Sequence, residues 1–200
     1  MKLFWAPTSP YVRKVMVVAH EAGVADRLEK VGTTPATVVE DVAPANPLAQ
    51  IPSLEISPGE WLYDSLAIAE YLDDLGGGGL FPPPGPDRWA ALRRHALGQG
   101  VIDLGNQELN MGRLPEGERS PTLSAKRQAA LVRALDALDA EAPTLAVGRP
   151  TIGEVAIGCA LLYIDFRFPD QAWRPGRAAL AAWADEIAAR PSFHATRPPA

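Results

Sequence analysis

The run Gly76-Gly77-Gly78-Gly79, followed by Leu80-Phe81-Pro82-Pro83-Pro84-Gly85-Pro86, is the strongest constraint on the fold. Glycine is costly to order and proline lacks the amide donor that helices and sheets need, so this stretch forms no regular element. Before it, short apolar runs typical of strands alternate with helical periodicity; after it, only helical periodicity remains. The pattern predicts an α/β domain over residues 1–76, a Gly/Pro-rich linker over 77–86 and an all-α domain over 87–200. A chain of 200 residues is long enough for two such units to be packed.

Within the first segment, Leu3 to Trp5 reads as a buried strand. Pro10 opens a helix with Val12, Val15, Ala19 and Ala22 on one face, and Gly23 stands where a left-handed residue ends it. Leu28 to Val31 is the candidate for a second, parallel strand. Residues 33–48 carry Pro44, Asn46 and Pro47 and read as irregular, with at most a short helix. Ser53 to Ile56 is the next strand, Ser57-Pro58-Gly59-Glu60 is turn chemistry, and Trp61-Leu62 returns antiparallel. Ser65 then caps a helix whose buried stripe is Ile68, Leu72 and Leu75. Beyond the linker, helices are expected from Asp87 to Met111, bent near Gly98, Gly100 and Gly105, and from Ser124 to Glu141 with Leu131, Leu135 and Leu138 inward. A third starts at Thr151, where Thr151 and Glu154 form a capping box and Pro150 and Val155 a hydrophobic staple. A fourth runs from Pro175 to Ala189.

Composition removes several functions. The formal net charge is -5 and the arginines are scattered, so no surface is laid out for nucleic acid. The single cysteine, Cys159, lies in an apolar run, which excludes an intramolecular disulfide and reads as a buried structural thiol. Met1 to Ala6 reaches Pro7 before a signal segment develops, and no run approaches the ~20 apolar residues of a membrane span, so a soluble cytoplasmic protein is expected. His20, His95 and His194 lack metal-site spacing, and no metal is expected. Arg13 and Lys14 read as a solvated face.

Three short strings carry chemistry. Thr8-Ser9-Pro10 places hydroxyls at a helix start, where orphan amides and the dipole favour a nearby anion such as a thiolate. Lowering a thiol from ~8.5 to about 6.5 requires roughly 2.7 kcal/mol. One hydroxyl hydrogen bond to an anion contributes ~1.5 to 3 kcal/mol and the dipole ~0.3 to 1 kcal/mol, so the magnitudes suffice. Ile51-Pro52 precedes a strand; a proline there, if cis, turns the preceding backbone outward as an edge on which a short peptide can pair. Asp64-Ser65 is a second helix start, with a hydroxyl and amides for a carboxylate and a carboxylate for an ammonium group.

Taken together, the order of elements, the string Thr8-Ser9-Pro10-Tyr11-Val12-Arg13-Lys14, Ile51-Pro52 and Asp64-Ser65-Leu66-Ala67-Ile68 resemble a bacterial cytosolic glutathione S-transferase with a serine-type site. The likeness extends over the chain, through the capping box at Thr151, Cys159-Ala160-Leu161 leading to Asp165-Phe166-Arg167, and the ending Ala189-Arg190-Pro191-Ser192-Phe193. The resemblance implies a thioredoxin-like first domain binding glutathione as co-substrate, a helical second domain forming most of the electrophile pocket, and a homodimer. It implies that Ser9, or alternatively Thr8, assists the thiolate beside Pro10. Ile51 would pair with the cysteine backbone beside a cis Pro52, and Asp64 with Ser65 would hold the γ-glutamyl end. Gln50, in a position often lysine, would bond the glycyl carboxylate without a charge. The electrophile would lie near Pro7 to Tyr11 and the helix carrying Asn106, Gln107, Asn110 and Met111. No tyrosine or cysteine occupies the catalytic position, since Tyr11 comes too late, and the absence of a nearby cysteine argues against thiol-disulfide exchange. The expected activity is conjugation of glutathione to a hydrophobic electrophile in detoxification. The alternative is a non-catalytic glutathione- or protein-binding module on the same scaffold. A hydrolase with its own nucleophile is disfavoured, because no serine has a recognisable base beside it.

Overall fold

In the computed structural model, which describes residues 1–199, the opening apolar run forms β1 (Lys2–Trp5). With β2 (Glu29–Gly32), β3 (Ser53–Ser57) and β4 (Glu60–Leu62) it builds a mixed sheet in the order β2-β1-β3-β4. β1 runs parallel to β2, with Lys2 opposite Glu29 and Trp5 opposite Gly32, and antiparallel to β3, with Phe4 opposite Ser53. β4 returns antiparallel beside β3, Leu54 facing Leu62, through the Pro58-Gly59 turn. Phe4 and Trp61 stack on one face at 5.1 Å between ring centroids.

Three helices complete this part of the chain: α1 (Pro10–Glu21), α2 (Val38–Val42) and α3 (Ser65–Leu75). Leu3, Val12, Val15, Leu54, Ile68 and Leu72 form its buried core. α1 is buried along most of its length because it packs on α3 and on the helix that begins at Pro191. Gly76 closes α3 against the end of α1 so tightly that a Cβ would fall 2.4 Å from the Ala22 carbonyl oxygen. Two expectations are corrected here. Lys14 is completely buried and not on a solvated face, and Arg13 is half-buried. The cap of α3 is Asp64, whose carboxylate accepts the Leu66 amide, so Ser65 becomes the first helical residue; Leu75 is only half-buried. The glycines of the linker adopt positive φ at Gly77, Gly78 and Gly79, and buried Asp73 accepts the amides of Leu80 and Phe81, which fixes the stretch that follows.

The helical part contains α4 (Pro86–Arg113), α5 (Pro121–Glu141), α6 (Ile152–Arg167) and α7 (Ala178–Ala188). α4 is one helix of 28 residues. Its glycines mark close approach: a Cβ on Gly98 would lie 2.7 Å from the Ile157 amide nitrogen, so α6 packs directly on the α4 backbone. α6 is buried over most of its length and starts at the expected capping box, in which Thr151 Oγ1 accepts the Gly153 amide and Glu154 accepts the Thr151 amide at 2.8 Å. Cys159 is fully buried in it. No helix among the described residues is long and apolar enough to cross a membrane.

By its contacts the chain divides into Met1–Gly85 with the segment from Pro191 onward, and Pro86–Arg190. The last helix, α8 (Pro191–Ala195), joins the first unit by packing on α1. Arg13 donates to the Phe193 carbonyl and the Ser192 hydroxyl to the Glu21 carboxylate.

Candidate functional site

The strand register brings the three chemical strings to one end of the sheet. Phe4 faces Ser53 and Leu54 faces Leu62, with each pair antiparallel. The residues after β1, those before β3 and those after β4 therefore leave the sheet at the same end. These are the Pro7-to-Pro10 loop, Gln50-Ile51-Pro52, and Asp64-Ser65.

Ser9 caps α1, and Pro10 takes the first helical position, where its missing amide costs nothing. The Ser9 hydroxyl oxygen accepts the Val12 amide at 3.3 Å, which leaves its own proton available to a further acceptor. The Thr8 hydroxyl has no hydrogen-bond partner among the described residues and is half-buried; Pro7 is exposed, Pro10 buried and Tyr11 half-buried.

The second string is held by a residue that the sequence reading passed over. Asn46 is 2 % exposed, and its Nδ2 donates to the Gln50 carbonyl and to Ser53 Oγ, each at 3.1 Å, while its Oδ1 accepts the Leu48 amide at 3.0 Å. Ser53 Oγ in turn donates to the same Gln50 carbonyl at 2.9 Å. Asx chemistry beside Pro47 was the available signal, and it read only as a turn. The braced loop leads into a cis Ile51-Pro52 peptide; Tyr63-Asp64 is cis as well. Among the described residues the Ile51 amide and carbonyl form no hydrogen bond, and the Gln50 side chain is exposed and unengaged.

At the third string, Asp64 Oδ1 is committed to the Leu66 amide at 3.0 Å, and its other oxygen has no hydrogen-bond partner among the described residues. Ser65 is 2 % exposed, yet its hydroxyl has no hydrogen-bond partner among the described residues. The Ala67 amide is likewise open, so a hydroxyl donor and a helix N-terminus converge on one spot.

Family models supply the decisive comparison: the N-terminal domain of glutathione S-transferases matches residues 8–75 and the C-terminal domain residues 120–186. The chain belongs to the glutathione S-transferase family. A curated relative of this glutathione S-transferase family member is the uncharacterized GST-like protein YibF of Escherichia coli K12, 30% identical over 100% of this chain and 99% of its own. A glutathione transferase family member from Pseudomonas fluorescens Pf-5, solved with bound glutathione, superposes with a TM-score of 0.94 at 38% identity, covering 100% of this chain and 99% of that one. A structure from the same organism with bound S-(propanoic acid)-glutathione covers both chains fully at a TM-score of 0.89 and 37% identity. The small mixed sheet followed by a helical domain is the fold of these glutathione transferases.

The expected electrophile residues of the helical unit already have local partners. Gln107 Oε1 accepts from Arg127 on α5, Asn110 Oδ1 accepts from Arg113, and the Met111 sulfur accepts the Ser120 amide; Asn106 is half-buried.

Proposed function

We propose that this family member is a glutathione transferase that binds glutathione in its amino-terminal unit, ionises the thiol and conjugates it to a small apolar electrophile. The observation that supports the reading is the Ile51 amide and carbonyl, unpaired among the described residues, at the same end of the sheet as Ser9 and the α3 N-terminus. A tripeptide backbone satisfies such an edge as an added strand would, with its cysteine residue against Ile51 beside Pro52. Relatives solved with glutathione and with an S-substituted glutathione support it.

Each group then has a role. The γ-glutamyl carboxylate takes the Ser65 hydroxyl and the α3 amides, and its ammonium group takes the free oxygen of Asp64. Gln50 bonds the glycyl carboxylate. The cysteine sulfur lies at the mouth of α1 beside Pro10, where Ser9 donates its proton as a hydrogen bond to the thiolate, with Thr8 as the alternative donor. Its own oxygen is already polarised by accepting from Val12, which strengthens it as a donor. The thiol proton leaves to solvent, and the sulfur lone pair attacks the electrophile. Hydroxyl and dipole together supply the stabilisation this ionisation needs, without a metal. The helical unit contributes electrophile contacts, Gln107 and Met111 among them, and Pro7 and Tyr11 are proposed contacts on the first unit. Family likeness adds a cytoplasmic homodimer with a part in detoxification.

The test is ultraviolet thiolate absorbance on adding glutathione. A saturable signal that is lost in Ser9→Ala and kept in Thr8→Val is expected. Loss in Thr8→Val alone transfers the role to Thr8. Saturable binding without ionisation replaces the enzyme with a binding module, and no calorimetric heat at millimolar glutathione ends both readings.

A further inference from the structure

The chain from Thr33 to Gln50 leads from β2 to the edge at Ile51, and within it α2 is only five residues long. A helix that short does not hold itself in water, because nucleation costs more than a single turn of hydrogen bonds returns. Its N-cap gives no help. Thr37 makes no capping bond to the helix, and its hydroxyl instead meets those of Thr33 and Thr34 at 3.3 and 3.2 Å. Val42 is the buried residue of α2. The rest of what holds the helix must come from its two ends.

At the near end the Thr33 amide donates to the Trp5 carbonyl at 3.0 Å, which fastens Thr33 to the last residue of β1. The buried Thr33 hydroxyl then donates to Asp41 Oδ2 on α2 at 2.8 Å. The contact of Thr33 with the Thr37 hydroxyl is longer and joins two neutral groups, so the carboxylate is the stronger link. At the far end the Asn46 amide donates to the Val42 carbonyl at 2.8 Å, and the Asn46 side chain reaches the Gln50 carbonyl and Ser53, which pairs with Phe4 on β1. The contacts close a ring that runs from β1 through Thr33, Asp41, α2, Asn46 and β3 back to β1. The Ile51 edge lies on that ring.

We propose that Asp41 is a positioning residue for glutathione, holding α2 to the end of β1 so that the edge at Gln50 and Ile51 is formed before the tripeptide arrives. The inference deepens the glutathione transferase reading and rests on it. Where only part of the free chain holds the competent edge, apparent affinity falls by that fraction. Asp41 acts through the loop, so ionisation of the thiol at Ser9 is unaffected by its removal. Asparagine in its place keeps an oxygen to accept the Thr33 proton, and alanine keeps none.

The experiment is calorimetry of glutathione binding to the wild-type chain, Asp41→Ala, Asp41→Asn, Thr33→Val and the Thr33→Val/Asp41→Ala double variant. Ultraviolet titration of the bound thiol and amide hydrogen exchange of the free chains accompany it. Asp41→Ala is expected to weaken binding about fivefold, as the loss of one exposed hydrogen bond to a charged acceptor does. Exchange at the Asn46 and Leu48 amides quickens, while the pKa of the bound thiol stays where it was. Asp41→Asn recovers most of the affinity. The double variant binds about as well as Thr33→Val alone, because both changes remove the same link. Asp41 is exposed, so its variants fold. Unchanged affinity in Asp41→Ala, or a loss that Asp41→Asn does not relieve, overturns the inference and leaves the transferase reading standing. A wild-type chain that gives no heat with millimolar glutathione overturns the transferase reading and this inference with it.

Discussion

The Ser9 hydroxyl oxygen accepts the Val12 amide at 3.3 Å, so one side chain both caps α1 and keeps a proton to give. The two duties separate by substitution. Ser9→Ala loses about 1 kcal/mol of cap stabilisation, whereas glycine at an N-cap costs only a few tenths. Ser9→Gly is therefore expected to fold nearly as stably as the natural chain while the pKa of bound glutathione rises by about 1 to 2 units, the equivalent of one charge-assisted hydrogen bond. Ultraviolet titration of the complex measures it; an unmoved thiol removes Ser9 from the chemistry.

Asn46 braces the loop that presents Gln50 and Ile51. Asn46→Ala is expected to cost about 2 kcal/mol in denaturant unfolding, because buried polar partners are left unsatisfied. Glutathione affinity falls with it, since the edge at Ile51 is no longer held in place. A folded variant with undiminished calorimetric affinity contradicts this link between loop and ligand.

Glu154 is 1 % exposed and faces Arg94 at 2.9 Å. Arg94→Met strands that carboxylate in the α4–α6 packing and is expected to destabilise by about 3–5 kcal/mol. Adding Glu154→Gln to the same chain restores part of the loss, because the stranded charge is gone. Equal melting temperatures for the single and double variants would show that the charge is not what matters.

Glu141 holds the ends of Arg93 and Arg94, and the hydrogen bond from Arg93, ahead of the other influences, keeps its carboxyl below the ordinary value of 4.5. A depressed folded pKa stabilises the protein above the unfolded value, and that stabilisation disappears as pH falls through the folded one. Stability is expected to be level above pH 4.5 with respect to this group and to decline below it. Glu141→Gln is expected to flatten part of that decline in unfolding measured against pH.

Much of the architecture is written in local chemistry. The Ser9-Pro10 start of α1, the Thr151–Glu154 box of α6, the turn at Pro58-Gly59 and the left-handed Gly23 at the end of α1 involve residues within a few positions of each other, and each stands where local rules put it. Family membership was legible too, because its strings are short and ordered. Tertiary packing decided the rest. Lys14 reads as a solvated charge until α3 and the core enclose α1, and Gly98 reads as a bend until α6 is found lying against it. Asn46 acquires its meaning from its partners across the loop, and sequence carries no record of them. Periodicity encodes which face of an element is apolar, whereas burial, pairing and open hydrogen-bonding groups exist only once distant segments meet.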